Sequence, residues 1–359
     1  MKYNVLSAFF MLFLAFCATS CCSNDEKCSS QQPQNVVLMI GDGMSIPQIY
    51  ALMMTEDSPT AFQRFPFSGL AVSKSASNEI TDSAAGGTAI ATGHKTNNHV
   101  IGMDADSVSV PSLLDIMAEK GKKTGVVVTS YVTHATPASF VAHTPNRNKY
   151  EDIALQISER SDVDIIIGGG KKHFINRSDS LDLLEKMRQD GWNVCDSLGQ
   201  LTTDFNEKTI VLAEMSHLKK APQRGDFLPD ATSLALQSLS NENGFFLMVE
   251  GSQIDFAGHN NDSTYLVDEM RDFNKTINVV LDFAEKNPNT LVIVTADHET
   301  GGLTMIDRKG KYTDVEFEFT TGSHTPLLVP VFAFGPGAEH FSGIMDNTYI
   351  MKKVLSLVK

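Results

Sequence analysis

Asp42, Glu250, Asp255, His259, Asp297 and His298 are carboxylates and imidazoles standing at or just beyond the ends of apolar runs, and Ser83 opens an alanine-rich stretch. Oxygen and imidazole donors of these types bind zinc and magnesium. A cation beside a serine hydroxyl can make that hydroxyl a nucleophile. Each residue also has a plainer reading: Asp42, between Gly41 and Gly43, could serve an ordinary turn, and Ser83 could merely cap a helix. The plain readings do not explain position. Val36–Ile40, Thr124–Thr129, Phe245–Val249 and Leu291–Ala296 read as strands buried on both faces. Asp42, Glu250 and the Asp297-His298 pair leave three of these almost at once, and His134 and Thr136 follow the fourth by a short loop. Parallel strands aim their C-terminal ends at one sheet edge, so such groups converge there. His259 lies four residues after Asp255, which on a helical turn puts both on one face. Lone buried carboxylates are costly and repel one another, and shared divalent cations remove both problems.

The elements that must position these groups are legible in outline. Thr81 and Asp82 can accept from the free amides of a first helical turn, Ala84, Ala85, Ala89 and Ala91 favour helix, and Gly93 is a stop. Ser83 then sits where the helix dipole favours an anion. Further helices are expected over Val110–Gly121, Tyr150–Arg160, Thr264–Lys286 and residues 347–358. Val163–Ile167 and Leu327–Phe334 read as strands, the latter at an edge or bulge because of Pro330. Gly168-Gly169-Gly170 lacks the following Gly-Lys-Ser/Thr of a phosphate loop and reads as a sharp turn. Alternating strands and helices predict an α/β fold, with one mostly parallel central sheet covered by helices on both faces.

The 359-residue chain carries a formal net charge of −14, which argues against a nucleic-acid partner. An anionic substrate would need local positive charge, most simply from metals. Residues 1–20 read as a signal peptide, since Lys2 precedes an apolar run from Val5 to Phe16. Ala18-Thr19-Ser20 before Cys21 resembles a lipoprotein cleavage site, with Cys21 acylated; an ordinary signal peptide is the alternative. Residues 21–34 are then a polar tether and 35–359 the catalytic domain, exported to the periplasm or cell envelope and touching membrane only through lipid. No Cys-x-x-Cys pair occurs. A Cys28–Cys195 disulfide suits an oxidising compartment, and nothing in the sequence establishes it.

Asp42-Gly43-Met44, Thr81-Asp82-Ser83-Ala84-Ala85, Ala135-Thr136-Pro137, Val249–Asp255, Thr295-Ala296-Asp297-His298 and Thr321–Thr325 together resemble alkaline phosphatase, in order over about residues 35 to 358. The resemblance implies two zinc ions and one magnesium ion. Asp255, His259 and His324 would hold one zinc; Asp42, Asp297 and His298 the other, beside Ser83; and Asp42, Thr136 and Glu250 the magnesium. His134 would stand just outside the magnesium site, where some members carry Asp. Arg147 would grip phosphate oxygens, and small phosphate monoesters would be hydrolysed through a phosphoserine on Ser83, faster toward alkaline pH. Phe256 stands where many relatives place Lys or His, implying weaker hold on phosphate. Glu299–Thr321 is too short for the inserted crown domain of some relatives. His94, His99, His143, His173, His217 and His340 match no ligand position. Family members are commonly homodimers, which nothing in this chain requires. A related phosphodiesterase or phosphonate hydrolase, and an inactive phosphate-binding lipoprotein, are the alternatives.

If Cys21 carries lipid, the mature protein partitions into the detergent phase on phase separation and Cys21→Ala returns it to the aqueous phase. Recovery of the native protein in the aqueous phase contradicts the anchor.

Overall fold

Long apolar runs build the middle of the sheet. The computed structural model describes residues 32–201, 207–307 and 315–359. The expected signal peptide, Cys21, Cys28 and most of the expected tether lie outside these residues. In chain order the strands are β1 (Asn35–Gly41), β2 (Phe67–Val72), β3 (Lys123–Tyr131), β4 (Ile165–Gly169), β5 (Asn193–Cys195), β6 (Thr209–Leu212) and β7 (Phe245–Gly251). They continue with β8 (Thr290–Thr295), β9 (Glu299–Thr300), β10 (Leu303–Ile306), β11 (Glu316–Phe319), β12 (His324–Thr325), β13 (Val329–Phe334) and β14 (Gly343–Asp346). Ten of these form one sheet in the order β14-β2-β13-β8-β1-β7-β3-β4-β6-β5. Only β13 runs against its neighbours. The pairs β9–β12 and β10–β11 are separate antiparallel ribbons.

Every side chain from Val36 to Ile40, from Phe245 to Val249 and from Leu291 to Val294 is buried, as a sheet covered on both faces requires. Register carries this into function. Ile40 of β1 pairs with Glu250 of β7 on one side and Thr295 of β8 on the other, and Val128 of β3 also pairs with Glu250. The chain segments bearing Asp42, Glu250, Asp297 and His134 therefore emerge from one edge.

The helix expected around Ser83 spans Ser83–Thr92; the Asp82 side chain accepts from the Ala85 N–H and Gly93 ends it at φ 70°. Ser112 caps Leu113–Glu119, a shorter helix than expected because Pro111 and Ser112 precede it. The long helix spans Ser263–Lys286. Two expectations change. The helix Ile46–Thr55 and the strands β2 and β14 carry weak patterns in the sequence and were not anticipated. The strand containing Pro330 is internal, not an edge. It pairs with β2 from Val329 to Ala333 but with β8 only from Phe332, so Pro330 owes no N–H to β8, and its carbonyl accepts from the Thr295 hydroxyl at 2.9 Å. Cys195 is buried and free among the described residues, its thiol donating to Asn193 Oδ1. No helix among the described residues is long and apolar enough to cross a membrane.

Away from the sheet edge, Arg224 spans Glu269 (2.5 and 2.9 Å) and Asp272 (2.6 Å) of the long helix, all three side chains buried. Burial pushes both carboxyls up in pKa and Arg224 counters it. Arg224→Met should cost about 3–5 kcal/mol at pH 7 in denaturant unfolding, because two buried carboxylates lose their cation. A carboxyl whose folded pKa is raised stabilises most below its unfolded pKa and loses that as pH rises through the folded value. The deficit therefore shrinks on acidification, and a deficit independent of pH contradicts this account.

Candidate active site

Asp42 begins the turn after β1, and burial leaves it no water. Neither carboxylate oxygen has a hydrogen-bond partner among the described residues. Asp297, two residues past β8, accepts from the Gly43 and His298 N–H groups through Oδ1 (3.3 and 3.0 Å), while Oδ2 has no partner. His298 aims Nε2 at Asp42 Oδ1 (3.5 Å) and Asp297 Oδ2 (3.3 Å). The Ser83 hydroxyl lies 3.2 Å from that same nitrogen. Burial and the neighbouring acids Asp297, Asp255 and Glu250 hold the Asp42 carboxyl well above its ordinary pKa, and burial also raises Asp297. Burial, then the charge of His324, pushes His298 well below its ordinary value, so its ring is neutral and able to act as a ligand.

A second group lies alongside. His259 Nδ1 and His324 Nδ1 each face a backbone carbonyl, Gly322 O and Thr81 O, at 2.8 Å. Those contacts put the ring protons on Nδ1 and leave both Nε2 lone pairs facing each other at 3.2 Å, with Asp255 Oδ1 3.3 and 3.6 Å away. Lone pairs and a carboxylate oxygen so arranged repel unless a cation lies among them.

The third group is built on Glu250, at the end of β7. Its Oε2 accepts from Ser252 (2.5 Å) and Ser130 (3.3 Å), and its Oε1 has no partner. Burial raises its pKa to about 7 against the bonding of Ser252, with Asp297 adding to the rise. Asp42, His134 and Glu250 can bring one ligand atom each within 4.8 Å of one another, as can Asp42, Asp297 and His298, and Asp255, His259 and His324. His134 can thus offer a ring nitrogen to this group. Thr136, buried in the first turn of the helix Ala135–Val141, has an unpartnered hydroxyl.

Eleven buried side-chain polar atoms lack hydrogen-bond partners among the described residues, and six belong to Asp42, His134, Thr136, Glu250 and Asp297. Buried polar groups in proteins are mostly satisfied, so this concentration marks a cation site. Glu299 makes the contrast. It is equally buried, but Gln48, Gly302, Leu303 and Thr325 all donate to it. Hydrogen bonds hold that carboxylate; none among the described residues holds Asp42.

Close approach requires small residues. A Cβ on Gly86 would lie 2.9 Å from Asp297 O, and one on Gly43 (φ +74°) would lie 2.8 Å from both Asp255 Cα and Thr300 Oγ1. Arg147 is fixed by Asp82, whose Oδ2 accepts from Nη1 at 3.0 Å, while Nη2 lies 3.5 Å from His134 Nε2. Burial would raise the Asp82 pKa, but Arg147 and the Ala85 and His99 N–H groups outweigh it and lower it. Phe256 packs edge-on to His134 at 5.8 Å.

All the anticipated residues lie in this cluster. The sequence reading missed the supports: Asp82 for Arg147, Ser130 and Ser252 for Glu250, and Thr300, which donates to Asp255 at 2.5 Å and contacts His298 Nδ1 at 3.2 Å. It also missed His217, edge-on to Phe256 at 4.9 Å and His134 at 5.7 Å. Only the adjacency of Asp82 to Ser83 and of Ser252 to Glu250 could have hinted at any of them.

The family model described as alkaline phosphatase matches residues 33–315. Alkaline phosphatase 3 of Bacillus subtilis is 31% identical over 93% of this chain and 91% of its own length. The solved alkaline phosphatase of the Antarctic bacterium TAB5 is 43% identical, with a TM-score of 0.87 over 91% of this chain and 98% of that one. The cold-active enzyme of Shewanella sp. is 32% identical, with a TM-score of 0.83 over 90% and 100%. Similarity of this extent, over a sheet edge gathering donors around a serine, leaves one conclusion: the chain belongs to the alkaline phosphatase family and is a metal-binding phosphatase.

Proposed function

We propose that the chain hydrolyses small phosphate monoesters by way of a phosphoserine on Ser83, with two zinc ions and one magnesium ion. Asp255, His259 and His324 would hold one zinc, and Asp42, Asp297 and His298 the second. Asp42, Glu250, Thr136 and His134 would hold magnesium, the oxygen-rich set that this ion favours. A variant of the TAB5 enzyme with one histidine changed to aspartate is described with magnesium in its M3 site, which supports the third ion. Bound, these cations would supply positive charge for the phosphoryl oxygens and lower the pKa of the serine hydroxyl.

The observation that carries the reading is the 3.2 Å contact between Ser83 Oγ and His298 Nε2, the nitrogen that also faces Asp42 and Asp297. Ser83 Oγ attacks phosphorus, the ester P–O bond breaks and the alcohol leaves. Water then cleaves the Ser83–phosphate bond, releasing inorganic phosphate and restoring the hydroxyl. Arg147, braced by Asp82, presents its remaining N–H groups to phosphoryl oxygens, and the free amides of the first helical turn favour the same charge. Phe256 donates no hydrogen bond and shapes the wall beside His134. Residues 35–359 form the catalytic domain in this reading, and the preceding residues direct export and anchor the chain at Cys21.

Ser83→Ala should lower kcat by about a thousandfold or more with KM changed far less, since only the nucleophile is removed. Acid quenching during turnover of a phosphate-labelled monoester should leave label on the peptide containing Ser83 in the wild type and none in the variant. Undiminished turnover by Ser83→Ala contradicts the covalent route, and preferred turnover of a bis ester over its monoester contradicts the substrate class.

A further inference from the structure

The wall beside His134 continues outward into a group of side chains that the ester chemistry does not use. Tyr131, at the end of β3, stacks its ring on His217, with centroids 3.5 Å apart and planes within 16°. His217 in turn meets Phe256 and His134 edge-on, at 4.9 and 5.7 Å. On Tyr131, Lys172 places its ammonium 4.6 Å from the ring centroid and donates to the phenolic oxygen at 2.8 Å. The Ser216 hydroxyl reaches the same oxygen at 3.2 Å. The group thus leads from His134 to Lys172 through two stacked rings.

Three features make it a recognition surface rather than packing. Lys172 has no carboxylate within 4.0 Å among the described residues, in a chain of net charge −14. Its neighbours follow the opposite rule, Lys171 pairing with Asp196 at 2.6 Å and Lys219 with Glu214 at 3.9 Å. The nearby Glu151 is engaged by the Ser178 N–H and hydroxyl. Secondly, the Tyr131 N–H donates to His217 Nδ1 at 3.2 Å, which fixes the neutral ring's proton on Nε2. That Nε2–H makes no hydrogen bond among the described residues. Thirdly, Ser216 is exposed and Lys172 and His217 are partly exposed.

We propose that Lys172, Ser216 and His217 form a second anion subsite, which selects phosphate monoesters whose alcohol part carries another anionic group, a carboxylate or a second phosphate. The proposal rests on the phosphomonoesterase reading above and names the substrate class for it. Phosphoryl transfer occurs at Ser83; the distal anion is held by the ammonium and two neutral donors and undergoes no reaction. Phe256 and His217, edge-on at 4.9 Å, would offer an aromatic flank to the carbon chain that joins the two anionic groups.

The test compares hexyl phosphate, 6-(phosphonooxy)hexanoate and 1,6-hexanediol bisphosphate, whose leaving alcohols are nearly equal in reactivity. The wild-type holoenzyme should show kcat/KM about fivefold higher for the two anionic-tailed esters, through KM, as one partly exposed charge pair permits. Added salt should erode that preference. Lys172→Met should bring the ratio of anionic-tailed to neutral kcat/KM to about one, Lys172→Arg should preserve it, and His217→Phe should reduce it. A wild-type ratio at or below one, or a ratio unchanged in Lys172→Met, overturns the subsite while leaving the hydrolase reading intact. No turnover of any of the three esters by the metal-loaded wild type overturns both.

Discussion

Repulsion among buried carboxylates governs this structure. Asp42, Asp297 and Glu250 are brought together where water cannot reach them; burial pushes each toward its neutral form, and the charge of Asp297 adds to that push on Asp42 and Glu250. A protein that spent nothing to relieve that strain would keep such residues apart or give each its own donors, as Glu299 has. Here Asp42 has no donor among the described residues, and Asp297 and Glu250 each keep one oxygen without a partner. The unpartnered oxygens of Asp42 and the opposed Nε2 atoms of His259 and His324 have in common a demand for positive charge that no side chain among the described residues meets. Divalent cations would satisfy it, and in doing so would reverse the sign of a site that is to receive an anion within an acidic molecule.

The fold makes this crowding unavoidable. Parallel strands in register deliver their last residues to one edge, and β7, β1 and β8 are adjacent. The serine helix can press onto that edge because Gly86 presents no side chain to Asp297, and Gly43 lets the Asp42 turn lie against Asp255. Strain thus resides in electrostatics rather than in sterics. The hydroxyl of Ser83 occupies the end of its helix beside the neutral His298, with Asp82 serving both as helix cap and as brace for Arg147. One residue links the geometry of the proposed nucleophile to that of the cation expected to bind phosphate.

Much of this was legible in the chain itself. Continuous apolar runs declared the central strands, because a strand buried on both faces has no polar side to disguise it. Asp42, Glu250, Asp297 and His298 were legible as candidate ligands because each stands at or near a strand's end, His259 by its spacing from Asp255, His324 only through the family resemblance, and the helix around Ser83 because Asp82 and Gly93 bracket it. What remained hidden depends on long-range pairing. Phe67–Val72 is mixed in burial and contains Gly69, so nothing local announces a strand, yet it pairs with both β13 and β14. Pro330 suggested an edge because local rules do not reveal that β8 joins its strand only two residues later. His217 follows no ligand spacing, and its place beside His134 arises from the loop after β6 folding back over β3. Thr300, Ser130 and Ser252 are common polar residues whose role appears only once the groups they hold are in place.

The central claim, that cations neutralise the buried donors, is tested most directly by diffraction from crystals of the active enzyme measured on either side of the zinc absorption edge. The account predicts two zinc peaks, one among Asp255, His259 and His324 and one among Asp42, Asp297 and His298, with a lighter ion at Glu250. Fully active crystals with no ion among these residues would contradict it.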